Sequence, residues 1–151
     1  MSNSYYVYNN EAISALVIKK YIEICRIIDL SRLFIILPIL LNDKLVQILS
    51  KERFEDIEGL IEKHPTLFSD FNDRYLELTP ITINSFTLLR EMNVIKFEKG
   101  NVFYEEDAKI DSNDFEVGDR LTKILFSMKS FIDLTCKYQT DSIYKILKIR
   151  L

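Results

Sequence analysis

The side chains with which this chain could move protons, hold a metal or attack a substrate are few: one histidine, His64, two cysteines, Cys25 and Cys136, and a crowd of carboxylates at Glu105, Glu106, Asp107, Asp111 and Asp114. His64 stands directly before Pro65, in what reads as a connection between helices. A lone histidine there is expected to be a solvated side chain rather than a base or a ligand. Zinc needs clustered Cys and His, and these three are scattered over the whole chain, so no zinc site is indicated. The carboxylate cluster is dense enough to suggest a cation site, but it lacks the central glycine and terminal glutamate of an EF-hand, and a solvated loop is the preferred reading. Gly59, Gly100 and Gly118 are isolated from one another, which excludes the glycine-rich loops that bring backbone close to phosphate. No serine has a histidine near it in sequence to complete a nucleophilic triad. No catalytic, metal or cofactor-binding residue is therefore expected, and the chain is expected not to be an enzyme.

The elements that would carry any site are mostly helical. With only three Gly and three Pro in 151 residues, 48% hydrophobic and 28% charged, the chain favours long helices and one packed core over disorder. Behind Asn9-Asn10 as a cap, Ile13, Leu16, Val17, Ile22 and Ile24 recur at helical spacing and predict a helix over 11–26, with Lys19, Lys20 and Glu23 as its narrow wet strip. Ser31 is the expected cap of a second helix containing Leu33-Phe34-Ile35-Ile36-Leu37-Pro38-Ile39-Leu40-Leu41, bent at Pro38. Shorter helices are predicted over 43–49 and 53–63, and another starting at Pro65 with Leu67, Phe68, Phe71, Tyr75 and Leu76 on one face. Thr79-Pro80 reads as a fresh helix start, leading to Ile83, Phe86, Leu89 and Met92. Two strand-like runs, 94–97 and 102–104, are joined by Glu98-Lys99-Gly100-Asn101, whose Gly-Asn pair supports a hairpin turn. A polar loop at 107–114, a long helix over 115–137 and a short one over 141–149 complete the reading. The expected fold is mainly α: a single domain over 1–151, with a winged-helix-like unit at about 66–105 (helix plus two-stranded hairpin) and a C-terminal helical part at 115–151.

The run from Leu33 to Leu41 is half the length needed to cross a bilayer and is closed by Asn42, Asp43 and Lys44. The start, MSNSYYVYNN, lacks the basic and apolar parts of a secretory signal, so the cytoplasm is the expected location and the two cysteines are expected to be reduced core thiols. A net charge of −3 does not suggest a dedicated nucleic-acid binder. It conceals an acidic stretch over 98–119 and a basic tail after 121 that carries Lys137, Lys145, Lys148 and Arg150. The 80–92 helix offers Asn84, Ser85, Thr87 and Arg90 to DNA, and the hairpin offers Lys96 and Lys99 among Glu98, Glu105 and Glu106. That is a weak basic surface for sequence-specific recognition.

Three segments in order resemble a known family. They are Tyr8-Asn9-Asn10-Glu11-Ala12 before the first helix, Leu37-Pro38-Ile39-Leu40-Leu41, and the succession from the His64-Pro65 connection through the 78–92 helix and hairpin to Ile143-Tyr144-Lys145-Ile146-Leu147. The chain resembles the middle component of three-component ABC systems, which overlaps with the accessory subunit of Lamassu-type anti-phage defence. It departs from that pattern at Phe126-Ser127-Met128-Lys129, where relatives carry a Gly-Arg-Trp-like element. The resemblance implies a non-catalytic adaptor between a Rad50/SMC-type ABC ATPase and an effector, often a nuclease, with DNA held by the assembled complex and no cofactor. The alternative is a winged-helix DNA-binding regulator. Candidate partner contacts are Tyr5, Tyr6, Tyr8, Phe34, Leu37, Pro38 and Leu41, since aromatic and apolar groups dominate protein interfaces. Complete burial of the Leu33 to Leu41 run inside a monomer stands beside that reading. Candidate contacts to DNA or an acidic partner are Lys137, Lys145, Lys148 and Arg150.

Overall fold

The structure, a computed structural model, describes the backbone of residues 3–105 and 118–151 and the side chains of residues 11–105 and 118–151. Along the chain run α1 (Asn3–Cys25), β1 (Ile27–Asp29), α2 (Leu30–Leu40), α3 (Asp43–Lys51), α4 (Ile57–Lys63), a 3-10 turn (Pro65–Leu67), α5 (Phe71–Glu91), β2 (Ile95–Glu98), β3 (Asn101–Tyr104), α6 (Asp119–Thr135) and α7 (Thr140–Ile146). The domain is mainly α with one small antiparallel sheet. Expected positions 106, 107, 111 and 114 of the acidic cluster, and the side chains of Tyr5, Tyr6 and Tyr8, lie outside the described residues.

Short polar side chains set three helix starts. Asp29 accepts the Arg32 N–H at 3.1 Å, Asn42 accepts that of Leu45 at 3.0 Å, and Asp56 that of Gly59 at 2.7 Å. Each cap satisfies an amide that has no partner in the first helical turn, an effect of about 1 kcal/mol. Ser31, the expected cap of α2, instead donates its hydroxyl to the Asp29 carboxylate. At Gly59 a Cβ would come within 2.9 Å of the capping Asp56 oxygen, so the tight cap itself asks for glycine.

α2 is the centre of the core. Leu33, Ile35, Ile36, Leu37 and Leu40 are fully buried and Pro38 is buried with them, because α1, α3, α5 and β1 all pack around this one helix. A helix that is apolar on every side needs such enclosure. Pro38 removes the N–H that would bond the Phe34 carbonyl. Among the described residues no single helix is long and apolar enough to cross a membrane; only α2 and α3 together reach that length, and they are bent by 91°.

The hairpin forms, but its two-residue turn is Lys99-Gly100, both at positive φ (51° and 81°), the backbone that matches strand twist; Asn101 of the expected Gly-Asn pair already belongs to β3. The sheet has a third strand that the sequence reading missed. β1 pairs antiparallel with β3, Ile27 opposite Phe103 and Ile28 opposite Val102, giving the order β1-β3-β2. The hairpin is therefore not a unit of 66–105 alone: residues before α2 complete it, and α1 and α2 pack on α5.

Other expectations need correction. The Thr79-Pro80 start is absent, for α5 runs unbroken through Pro80. Phe71, Tyr75, Thr82 and Leu89 share one buried stripe and hold the two halves in line, and Pro80 lies on the exposed side, where a lost backbone bond costs least. Pro65 opens only a 3-10 turn. Lys19, assigned to the wet strip of α1, is 4% exposed and pairs with Glu23 at 3.3 Å. Neither cysteine is a core residue: Cys25 is half-buried and Cys136 is exposed at the end of α6. Near them Tyr21 packs on Phe131 at 5.6 Å, and burial pushes its hydroxyl up to about 12.

Candidate interaction surfaces

His64 is half-buried, edge-on to Phe54, and hydrogen-bonded to Glu52 at 3.3 Å rather than solvated. Lys63 reaches the same carboxylate at 2.7 Å, and it, then His64, holds Glu52 below its ordinary range. Among the described residues no group of His, Cys, Asp and Glu could hold a metal ion.

The proposed partner contacts on α2 are placed inside. Leu37 and Pro38 are buried, and Phe34 and Leu41 are half-buried against the core. Neither Leu37 nor Pro38 has surface to offer a partner, because α2 is enclosed by its neighbours. An apolar run looks the same in a core and in an interface.

Of the basic candidates, Lys145, Lys148 and Arg150 line one open groove of about 630 Å³ with Ser31 and Tyr144. Lys137 lies elsewhere, its Nζ donating to the Glu55 carbonyl at 2.8 Å. Tyr144 donates to the Ser31 carbonyl and meets Tyr75 hydroxyl to hydroxyl at 3.2 Å, so the floor of the groove is fixed to α2 and α5. Burial first, and the neighbouring Tyr75 second, push the Tyr144 hydroxyl up.

Two surfaces carry large exposed apolar side chains that no other described residue covers. The first is the outer side of α5, where Leu76 is 53% and Ile83 48% exposed and Pro80 and Leu88 are also exposed. Phe97 of β2 stands edge-on to Phe86 at 5.9 Å, and Arg90 lies over the Phe86 ring at 5.6 Å, so the hairpin braces the helix beside this face. The second surface is a groove of about 780 Å³ between α3 and α6, flanked by Lys51 and Lys123. Phe126, 73% exposed, stands in its wall. At one end of it Arg120 bonds Asp43 at 3.2 Å and the Leu41 carbonyl at 3.0 Å, joining the two helices. α1 packs against both α5 and α6, which have no substantial contact with each other. The two surfaces thus belong to separate sides of the domain. Exposed α5 and Phe126 were both overlooked in the sequence, where Leu76, Ile83 and Phe126 read as members of buried stripes or as unremarked neighbours of them.

This is a mainly helical domain that exposes large apolar side chains along α5 and at Phe126. Residues 2–151 match the family described as ABC-three component (ABC-3C) system Middle Component 3, and the chain belongs to that family. It is therefore a middle component that works with the other components of an ABC-three component system. No curated protein and no solved structure matches it.

Proposed function

We propose that the chain is a non-catalytic adaptor that bridges a Rad50/SMC-type ABC ATPase and an effector, often a nuclease, in a cytoplasmic anti-phage or anti-plasmid complex of the Lamassu type. The observation that carries this reading is the pair of apolar faces on separate sides of one domain, the α5 face and the α3–α6 groove. Large exposed apolar groups are costly unless a partner covers them, and two such faces with a rigid core between them suit a bridge. Family membership supports the same reading.

A second reading starts from topology. The strand between α1 and α2 that pairs with β3, with α5 leading into the hairpin, supports reading the fold as winged-helix-like with α3 and α4 inserted. In such folds the helix before the hairpin enters the DNA major groove. Here that helix presents Leu76, Pro80, Ile83 and Leu88 outward, beside Asp73, Glu77 and Glu91 and with Arg90 as its exposed arginine. Such a face is built against phosphate rather than for it. We therefore place protein docking ahead of DNA reading.

The test is co-expression with the neighbouring ATPase and effector genes, tagging this chain alone, followed by size-exclusion chromatography. Co-elution of all three chains is expected. A monomer that ignores both proteins and retains duplex DNA at moderate salt would establish the regulator instead.

A further inference from the structure

We propose that the outer face of α5 seats one helix of another component, an amphipathic helix with apolar residues at alternating three- and four-residue spacing and Lys or Arg along one flank. The identity of the partner chain rests on the adaptor reading; the chemistry of the seat rests on α5 itself.

Leu76, Pro80, Ile83 and Thr87 are all exposed and fall at intervals of four, three and four residues. This is the spacing of a coiled-coil seam, in which each apolar side chain enters a hole on a facing helix. On an isolated surface helix this stripe would be polar. From Leu76 to Thr87 the row is about 16 Å long, long enough to register three turns of a second helix. The buried stripe of α5, Phe71, Tyr75, Thr82 and Leu89, lies on its opposite side, so the seam is presented on a helix already locked in place.

Charge selects the occupant. The positions that follow the seam on one flank are Glu77, Asn84 and Glu91, all exposed. Among the described residues neither glutamate belongs to an ion pair. Pro80 has no N–H to give the Leu76 carbonyl, which loses its helical donor. The flank thus presents acceptors and negative charge to whatever lies against it, and side chains that donate hydrogen bonds and carry positive charge complement it. A second copy of this chain does not complement the flank, because it brings the same acidic Glu77 and Glu91 and no basic residue in that row. Duplex DNA is repelled by the same carboxylates.

The test uses the full three-component assembly with this chain tagged. In one variant Leu76→Asp and Ile83→Asp are combined; both sites are exposed, and circular dichroism with a thermal melt checks the fold. In another, Glu77→Lys and Glu91→Lys reverse the flank. A photo-crosslinking residue at Thr87 reports the occupant in a chain with an otherwise native seam, which holds even where the aspartate variant fails to fold. The expected result is loss of one component by at least tenfold in the aspartate variant with the other retained, a several-fold weakening on charge reversal, and a crosslink to a basic-flanked amphipathic helix. Undiminished retention of both components, or a crosslink to a second copy, to DNA or to an acidic segment, overturns the seat and leaves the adaptor reading standing. Failure of the unmodified chain to hold either component overturns both.

Discussion

Arg32 Nε donates to Thr140 Oγ1 at 2.9 Å, joining positions 108 residues apart. The same guanidinium reaches the Thr135 carbonyl at 3.5 Å and the Tyr138 carbonyl. One side chain on the first turn of α2 thereby caps the end of α6 and ties the α6–α7 connection to the core helix. Tyr138 extends the joint by donating to Glu58 at 2.8 Å and accepting the Ile57 N–H at 3.0 Å. Arg32→Ala is expected to lower unfolding free energy by about 2–3 kcal/mol, since it leaves a hydroxyl and two carbonyls without their donor. Arg32→Lys should recover only part of this, because an ammonium lacks the planar fork that serves three acceptors. Urea denaturation of the three proteins measures both.

Asp29 gives the same joint a dependence on pH. Burial works to raise its pKa, but bonds from Ser31, from Thr140 and from the Arg32 amide, with the charge of Arg32, outweigh burial and leave it below its ordinary value. A depressed carboxylate contributes stability that is present above its unfolded pKa of about 4 and is lost as the pH falls through the lower folded value. Wild-type stability should therefore drop more steeply below about pH 4 than that of Asp29→Asn. The group is half-buried and reached by solvent, so the difference is small. Urea midpoints between neutral and acid pH decide it, and parallel curves for the two proteins would remove Asp29 from the account.

The Lys19–Glu23 pair is unequal, with the lysine side chain 5% and the glutamate 30% exposed. Removing Glu23 strands an ammonium in the core, whereas removing Lys19 leaves a carboxylate that still has water and Lys20 at 3.6 Å. Glu23→Ala should cost about 1–3 kcal/mol, and Lys19→Met about zero, or stabilise. Thermal melts of the two variants give the comparison, and equal losses would contradict it.

Pro80→Ala restores a donor to the Leu76 carbonyl within an uninterrupted helix. Stability should rise by about 1 kcal/mol or more, read as an increase in Tm of about 2–4 °C for a chain of this size. A decrease would mean that the packing of α5 depends on the distortion Pro80 imposes.

The groove lined by Lys145, Lys148 and Arg150 gives a prediction for the assembled complex. Reversing all three charges to Glu should weaken its binding to duplex DNA and lower the salt dependence by about three counterions, while assembly is unchanged. Lys137→Glu, remote from the groove and engaged with the Glu55 carbonyl, should have a smaller effect. Filter binding across a salt series measures both slopes.

The sequence by itself determined what depends on neighbours a few residues apart. Helical periodicity placed α2, α3 and α6 to within a few residues, two strand-like runs around Gly100 placed the hairpin, and the order of short apolar motifs matched the family that covers the chain. Tertiary structure decided everything that depends on distant partners. β1 is three residues long and is a strand only because β3 lies beside it. α5 passes through Pro80 because Phe71, Tyr75, Thr82 and Leu89 are buried along one line. Nothing near Arg32 in sequence marks its partners, which come from the end of α6 and the start of α7. The same holds for the two surfaces: Leu37 and Leu76 are the same residue type on helices, one enclosed on all sides and the other facing outward. Hydrophobicity states that a side chain should leave water, and only the packed chain determines whether its own core or another molecule provides the cover.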